Sequence, residues 1–234
     1  MKTIFKFPCQ LAIVISTAFL VLHPCAVAQD EQPEVGFLRI VNAVAPGEGN
    51  ANILVDGKDL YPKGYKLGQK TAGFGIKAGE HTVTIKKVGV ESGTTKVKLN
   101  KGETLSMIGF AEKIEPIEEG EPAKWRTRIL LLKQSDPESG YRLALVPLCG
   151  DDELKVEIQV AGRPQPDISY AKRMVVTPVG LGKSKPEVNI KVDGESVATI
   201  APEDPGNYVV VFYEDEAGKV KALTFYDPKF VIAG

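Results

Sequence analysis

The 234-residue chain is short of the residues that carry most catalytic chemistry, with three cysteines, two histidines and one tryptophan. Even these are not all available. Cys9, Cys25 and His23 fall within residues 1–28, which read as an export signal. Lys2 and Lys6 form a basic start, Leu11 to Leu22 is an apolar run, and Ala26-Val27-Ala28 is a small-x-small cleavage site before Gln29. A transmembrane helix is the competing reading. The run is short for crossing about 30 Å of hydrocarbon, and Pro24 interrupts it. A lipid-modified Cys25 would want small residues before it, and Leu22-His23-Pro24 are bulky.

With that segment removed, Cys149 is the remaining cysteine and His81 the remaining histidine. An intrachain disulfide is excluded, so an exported fold must be held by burial, which two domains of about 100 residues can supply. Cys149 reads as a small apolar residue buried at a strand end. Its alternative, an intermolecular disulfide or reactive thiol, requires exposure. A Ser-His-Asp or Cys-His set could be built on His81 alone, and His81 sits in an alternating strand where a packing role is expected. Zinc needs three or four nitrogen or sulfur ligands, which one His and one Cys far apart do not provide.

Charge of one sign is also lacking. Loss of Lys2 and Lys6 leaves 27 basic against 30 acidic residues, with no basic stripe. That excludes a nucleic-acid footprint. No second apolar run is long enough to span a membrane.

What is present is short alternating segments punctuated by turns. Phe37 to Ala43, Asn52 to Val55, His81 to Lys86, Thr94 to Leu99, Thr104 to Phe110 and Trp125 to Lys133 read as strands. Ala45 to Asn50 reads as a loop, Asp56-Gly57 as a tight hairpin turn, and residues 59–70 and 163–172 as irregular loops. Glu112, Glu115, Glu118, Glu119 and Glu121 alternate with Pro116 and Pro122, so 112–124 reads as a solvated acidic hairpin.

The plan then repeats. Shifted by 105 residues, Ile53-Leu54-Val55-Asp56-Gly57 falls on Ile158-Gln159-Val160-Ala161-Gly162, Gly75-Ile76 on Gly180-Leu181, and Val83 to Lys86 on Val188 to Lys191. Gly102 to Ile108 falls on Gly206 to Phe212 at a shift of 104. The expectation is an all-β protein of two tandem immunoglobulin-like β-sandwich domains. Residues 29–35 would be a leader, 36–136 the first domain and 139–234 the second, with the boundary in Gln134 to Gly140. The Cys…Trp…Cys signature of true immunoglobulin domains is absent.

Carboxylates are plentiful, and a glycosidase needs only two. Most lie in the 112–121 run or in turns, where a solvated face is the plainer reading. Calcium at Asp151-Asp152-Glu153 or Glu214-Asp215-Glu216 lacks the regular ligand spacing of a dedicated loop. Gly73-Phe74-Gly75 and Gly180-Leu181-Gly182 are not phosphate loops, since alternating strands rather than helices follow them. No catalytic, cofactor-binding or metal-binding residue is assigned. Tyr61, Tyr65 and Tyr170 are candidate contacts to a glycan or partner, with capping of the core as their alternative role.

The order Phe37 to Ala43, Ile53-Leu54-Val55-Asp56-Gly57-Lys58, the Gly75 turn and Ala78-Gly79-Glu80-His81-Thr82-Val83 resembles secreted bacterial β-sandwich domains of unknown function. It is similar, too, to the periplasmic accessory proteins of alginate O-acetylation, with Val176 to Val179 and Pro186 to Val192 resembling their second domain. The resemblance spans most of residues 36–226, and the acidic hairpin departs from it. It implies a non-catalytic exported adaptor beside acetylation machinery, periplasmic or secreted, whose partners are envelope proteins or a polysaccharide. The alternatives are a structural or adhesive surface protein and, more remotely, a carboxylate-based hydrolase.

Overall fold

The computed structural model describes residues 34–115, 124–133 and 140–228. The expected export signal, most of the expected leader, the tip of the expected acidic hairpin and nearly all of the expected boundary lie outside the described residues. The described strands belong to one compact unit, Pro33–Gly234. They number sixteen, with no helix among the described residues. The N-terminal half contains β1 Val35–Ala43, β2 Glu48–Val55, β3 Lys58–Asp59, β4 Phe74–Lys77, β5 Gly79–Val88, β6 Val90–Leu99, β7 Thr104–Ile114 and β8 Lys124–Leu132. The C-terminal half contains β9 Tyr141–Pro147, β10 Glu153–Val160, β11 Asp167–Lys172, β12 Thr177–Gly182, β13 Val188–Val192, β14 Glu195–Ile200, β15 Gly206–Glu214 and β16 Val220–Tyr226.

In the C-terminal half two four-stranded sheets run β11-β10-β13-β14 and β12-β9-β15-β16. In the N-terminal half the order is β3-β2-β5-β6-β8-β7-β1-β4. A lone bridge, Glu91 to Arg126, joins β6 to β8, so this is two groups of four meeting at a seam. Gly93 makes the seam possible, because a Cβ there would lie 2.4 Å from the Thr127 carbonyl oxygen. Adding eight to each strand number of the N-terminal half reproduces the order of the C-terminal half.

The order differs from the immunoglobulin constant plan, in which the first strand lies at a sheet edge. Here β1 is interior, antiparallel to β4 and parallel to β7. Likewise β9 lies between β12 and β15, parallel to β15. Burial explains the arrangement. Leu38 and Ile40 of β1 face the core of the N-terminal half, while Val41 and Ala43 face a second core shared with Ala144, Val146, Val209 and Val211. Leu143 and Leu145 of β9, with Val210 and Phe212 of β15, face a third core inside the C-terminal half. The central strands β1, β7, β9 and β15 are therefore covered on both faces. They are largely apolar runs, as parallel strands buried on both sides require. The outer sheets alternate instead: Ile53, Val55, Val83 and Ile85 point inward between exposed or half-buried neighbours.

The spacing of 105 holds through most of the strands. The pairs Ile53–Ile85 and Val55–Val83 correspond to Ile158–Ile190 and Val160–Val188. The 104-residue match of β7 to β15 is corrected. Ile40 pairs with Met107 and Leu145 with Val210, so with Ile40 matching Leu145 the shift is 103. A shift of 104 would set inward Met107 against Val211 of the shared core, and a one-residue slip turns every side chain to the wrong face.

Three loop expectations also change. The stretch from Glu48 belongs to β2, through a bulge between Glu48 and Asn52. Residues 167–172 form the edge strand β11 rather than loop. Strand β7 runs on to Ile114, taking Glu112 out of the solvated hairpin. The hairpin turn at Asp56-Gly57 is as expected, with φ of 50° and 78°, the left-handed pair of a type I′ turn.

Candidate functional site

Between the two halves lies a cleft of about 560 Å³. The ends of β7 and β8 wall one side with Glu112, Lys113 and Trp125. Leu148, Cys149 and Gly150 after β9, Arg173 after β11, and Glu214, Glu216, Ala217 and Gly218 at and beyond the end of β15 wall the other. Glu112 is its hub. One carboxylate oxygen accepts from Arg126 at 3.0 Å and Arg128 at 2.9 Å, and the other from Arg173 at 2.8 Å. Arg126 is the direct cross-strand partner of Glu112 and Arg128 its diagonal neighbour, the two positions from which a long side chain on an adjacent strand can reach. Arg173 comes from the other half, so the carboxylate ties the halves together. Burial pushes the Glu112 carboxyl upward, but the hydrogen bonds from Arg126 and Arg173 and the charges of Arg128 and Arg173 outweigh it. The net position is below the usual carboxylate range.

The other cleft carboxylates are also engaged. Glu115 pairs with Lys113 at 3.0 Å. Glu214 accepts from the Gly150 N–H at 2.6 Å, and Glu216 from the Gly47 N–H at 2.9 Å. Trp125 is half-buried, packing one side against the N-terminal core. Cys149 is 1% exposed, and burial pushes its thiol up to about 11, with Glu214 and Asp151 adding to the effect. A thiol so shifted stays protonated at neutral pH and is a poor nucleophile. Arg173 binds its carbonyl at 2.9 Å.

The three tyrosines singled out in the sequence do not converge on this cleft. Tyr65 is corrected to a core residue: it is 8% exposed and packs beside Ala51 and Ile53, so its ring offers no face to a sugar. Tyr61 stacks edge-on against it at 5.6 Å and remains 39% exposed. Tyr170 lies in β11 at 60% exposure. Among the described residues, no group of three or more His, Cys, Asp and Glu is arranged to hold a metal ion.

Sequence reasoning missed Glu112 because it stands at the head of a run of acids and prolines. The signal was on the facing strand, where Arg126 and Arg128 share one face two residues apart.

His81 acts as a clamp on a turn. Its Nδ1 lies 2.7 Å from Asp56 Oδ2 and its Nε2 lies 2.7 Å from the Lys77 carbonyl oxygen. Both partners are acceptors, so both ring nitrogens donate and the ring is the imidazolium. The hydrogen bond that His81 donates to Asp56 raises the His81 pKa above 6.5 against the opposing effect of burial. That bond and the Thr82 N–H hold Asp56 below 3.8. His81 therefore adds stability that is complete below its unfolded value and is lost as pH rises through its raised folded value. Asp56 adds stability above its unfolded value, lost as pH falls through its lowered one. Urea unfolding of the chain and of His81→Gln is expected to differ by about 1 kcal/mol at about pH 6, converging by about pH 9. A difference that persisted at the higher pH would show that the ring acts by packing alone.

No family model matches the chain, and no curated protein matches it.

Proposed function

We propose that the chain is a non-catalytic, exported binding module, built of two tandem copies of one β-sandwich unit. The copies are immunoglobulin-like in size and in their two packed sheets, with a strand order of their own. The repeated strand order and the near-constant spacing of 105 support the duplication. The ligand seat is the cleft between the copies, and its ligand is a glycan chain or a glycosylated envelope partner. The role is that of an accessory protein in exopolysaccharide O-acetylation or envelope assembly.

The observation that carries this reading is the Glu112 cluster. A glycosidase general acid needs a carboxyl whose pKa is raised, and three guanidiniums hold Glu112 on the opposite side. What the cleft offers is a set of charge-assisted donors and acceptors beside a half-buried indole. Those suit sugar hydroxyls and a sugar-ring face. Glycan-array binding followed by titration of the best glycan tests the reading. Trp125→Ala is expected to weaken binding about tenfold or more, and Tyr61→Ala, outside the cleft, to leave it unchanged. A blank array, or binding indifferent to Trp125→Ala, refutes the glycan seat. Recovery of acyltransferase-type partners from envelope extracts is the further expectation for the acetylation role.

A further inference from the structure

The two outer sheets end very differently. In the N-terminal half the edge strand β3 has two residues, Lys58 and Asp59, a short charged edge of the kind that discourages strand addition. Its counterpart β11 has six. On its outer face Ile168 is 45% and Tyr170 60% exposed. Strand β11 pairs with β10 on one side, and no described strand pairs with it on the other.

The open side can be resolved group by group. The Arg173 N–H donates to the Asp152 carbonyl at 2.9 Å, one step beyond the Glu153–Lys172 pair. Main-chain polar groups alternate in direction along a strand. Odd-numbered residues of β11 therefore turn theirs to β10, and Ile168, Tyr170 and Lys172 turn theirs to the open edge. The Lys172 carbonyl is already taken by the Val175 N–H at 3.1 Å. Pro166, the next position on that side, has no N–H. Two donors and two acceptors remain at the centre of the edge: the N–H and C=O of Ile168 and of Tyr170.

From this we infer that β11 is a dimerisation strand, pairing antiparallel with β11 of a second copy of this chain about a two-fold axis at Ser169. In that register Ile168 faces Tyr170 of the second copy, and Tyr170 faces its Ile168. The four groups on each edge then form four inter-strand hydrogen bonds. Sliding by one step to a Tyr170–Tyr170 centre would set Ile168 against Lys172, whose carbonyl is occupied. The side chains agree with the first register, since aromatic and β-branched residues are favourable cross-strand partners. Across β10, Glu157 lies beside Ile168 and Lys155 beside Tyr170. Each new apolar pair is therefore flanked by one acid and one base, in a row from Glu157 to Lys155 of the second copy. The result joins two outer sheets into one of eight strands, and it does not depend on what the cleft binds.

Sedimentation of the chain, expressed from its full 234-residue sequence, is the test. A species of twice the monomer mass is expected, growing with concentration. Ile168→Lys with Tyr170→Lys puts four like charges at the seam and is expected to weaken association about tenfold or more. Both side chains are exposed, so far-UV circular dichroism should be unchanged. Ser169→Cys fixes the register: on mild oxidation it is expected to give a covalent dimer, because Ser169 alone faces its own copy, and Cys149 is buried. A monomer at every concentration, or a dimer insensitive to the two lysines, overturns the proposal. A Ser169→Cys protein that dimerises without cross-linking overturns the register.

Discussion

Replacing Arg39 by alanine is expected to destabilise the fold by about 3–5 kcal/mol, the range for breaking a buried ion pair from one side. Arg39 lies in the apolar strand β1 yet is 3% exposed. Its guanidinium pairs with Asp227, just past β16. Asp227 also accepts from the Ser106 hydroxyl at 2.6 Å, and its N–H donates to the Asn207 carbonyl at 3.0 Å. The Asp227 side chain is 9% exposed, so the truncation strands a carboxylate away from water. Lys70, whose ammonium donates to the Tyr226 carbonyl and lies over the Phe225 ring, also feels the Asp227 charge, though burial and the Arg39 charge lower its pKa. A loss of roughly 6–20 °C in melting temperature follows for a domain of this size. Arg39→Met combined with Asp227→Leu should be milder than either single change, because it removes both charges. Additive losses in that cycle would show that the pair is not coupled.

Phe110→Ala is expected to cost about 3–5 kcal/mol, as for a large aromatic removed from a packed interior. Phe110 is fully buried in the shared core, against residues of both halves. The loss should therefore be felt across the boundary. Amide exchange at Val209 and Val211 in β15 is expected to accelerate along with that of Ile108 in β7. Phe212→Ala offers the contrast, since Phe212 is equally buried but faces the core of the C-terminal half. It should speed exchange in β10 and β13 first. If Phe110→Ala left the C-terminal half protected as before, the shared core would contribute little to holding it.

The strands and their pairing were legible wherever one face is buried and the other wet. Ile53, Val55, Val83 and Ile85 alternate with polar or half-buried residues, and the same pattern recurs at Ile158, Val160, Val188 and Ile190. The central strands hid their register. Thr104 to Phe110 and Gly206 to Phe212 are apolar on both faces, so nothing in the pattern distinguishes a shift of 104 from 103. Strand order was hidden as well, because turn residues show where a strand ends but not which edge it joins. The polar contacts between halves were the least visible. Arg39 stands out as a charge inside an apolar strand, but its partner is 188 residues away. Glu112 was masked by its acidic neighbours. Tyr65 read as a loop aromatic because the residues around it form isolated bridges, Ala51 to Tyr65 and Val41 to Lys70, rather than a strand.

The parallel pairing at the centre of each half bears on how the chain reaches its structure. Met107 follows Ile40 by 67 residues, and Val210 follows Leu145 by 65. A chain made from its N-terminus presents β1 long before β7 exists to receive it, with apolar side chains on both of its faces. The faces of β1 and β7 that meet β9 and β15 wait longer still, until most of the chain has been made. Loop closure over such distances makes folding slow, in the millisecond-to-second range of topologies dominated by distant contacts. Unpaired strands exposed over that time are prone to aggregation. The burial that holds the described strands together thus leaves the folding intermediates in need of protection, and a holdase that binds extended apolar segments is expected to raise the yield of refolding.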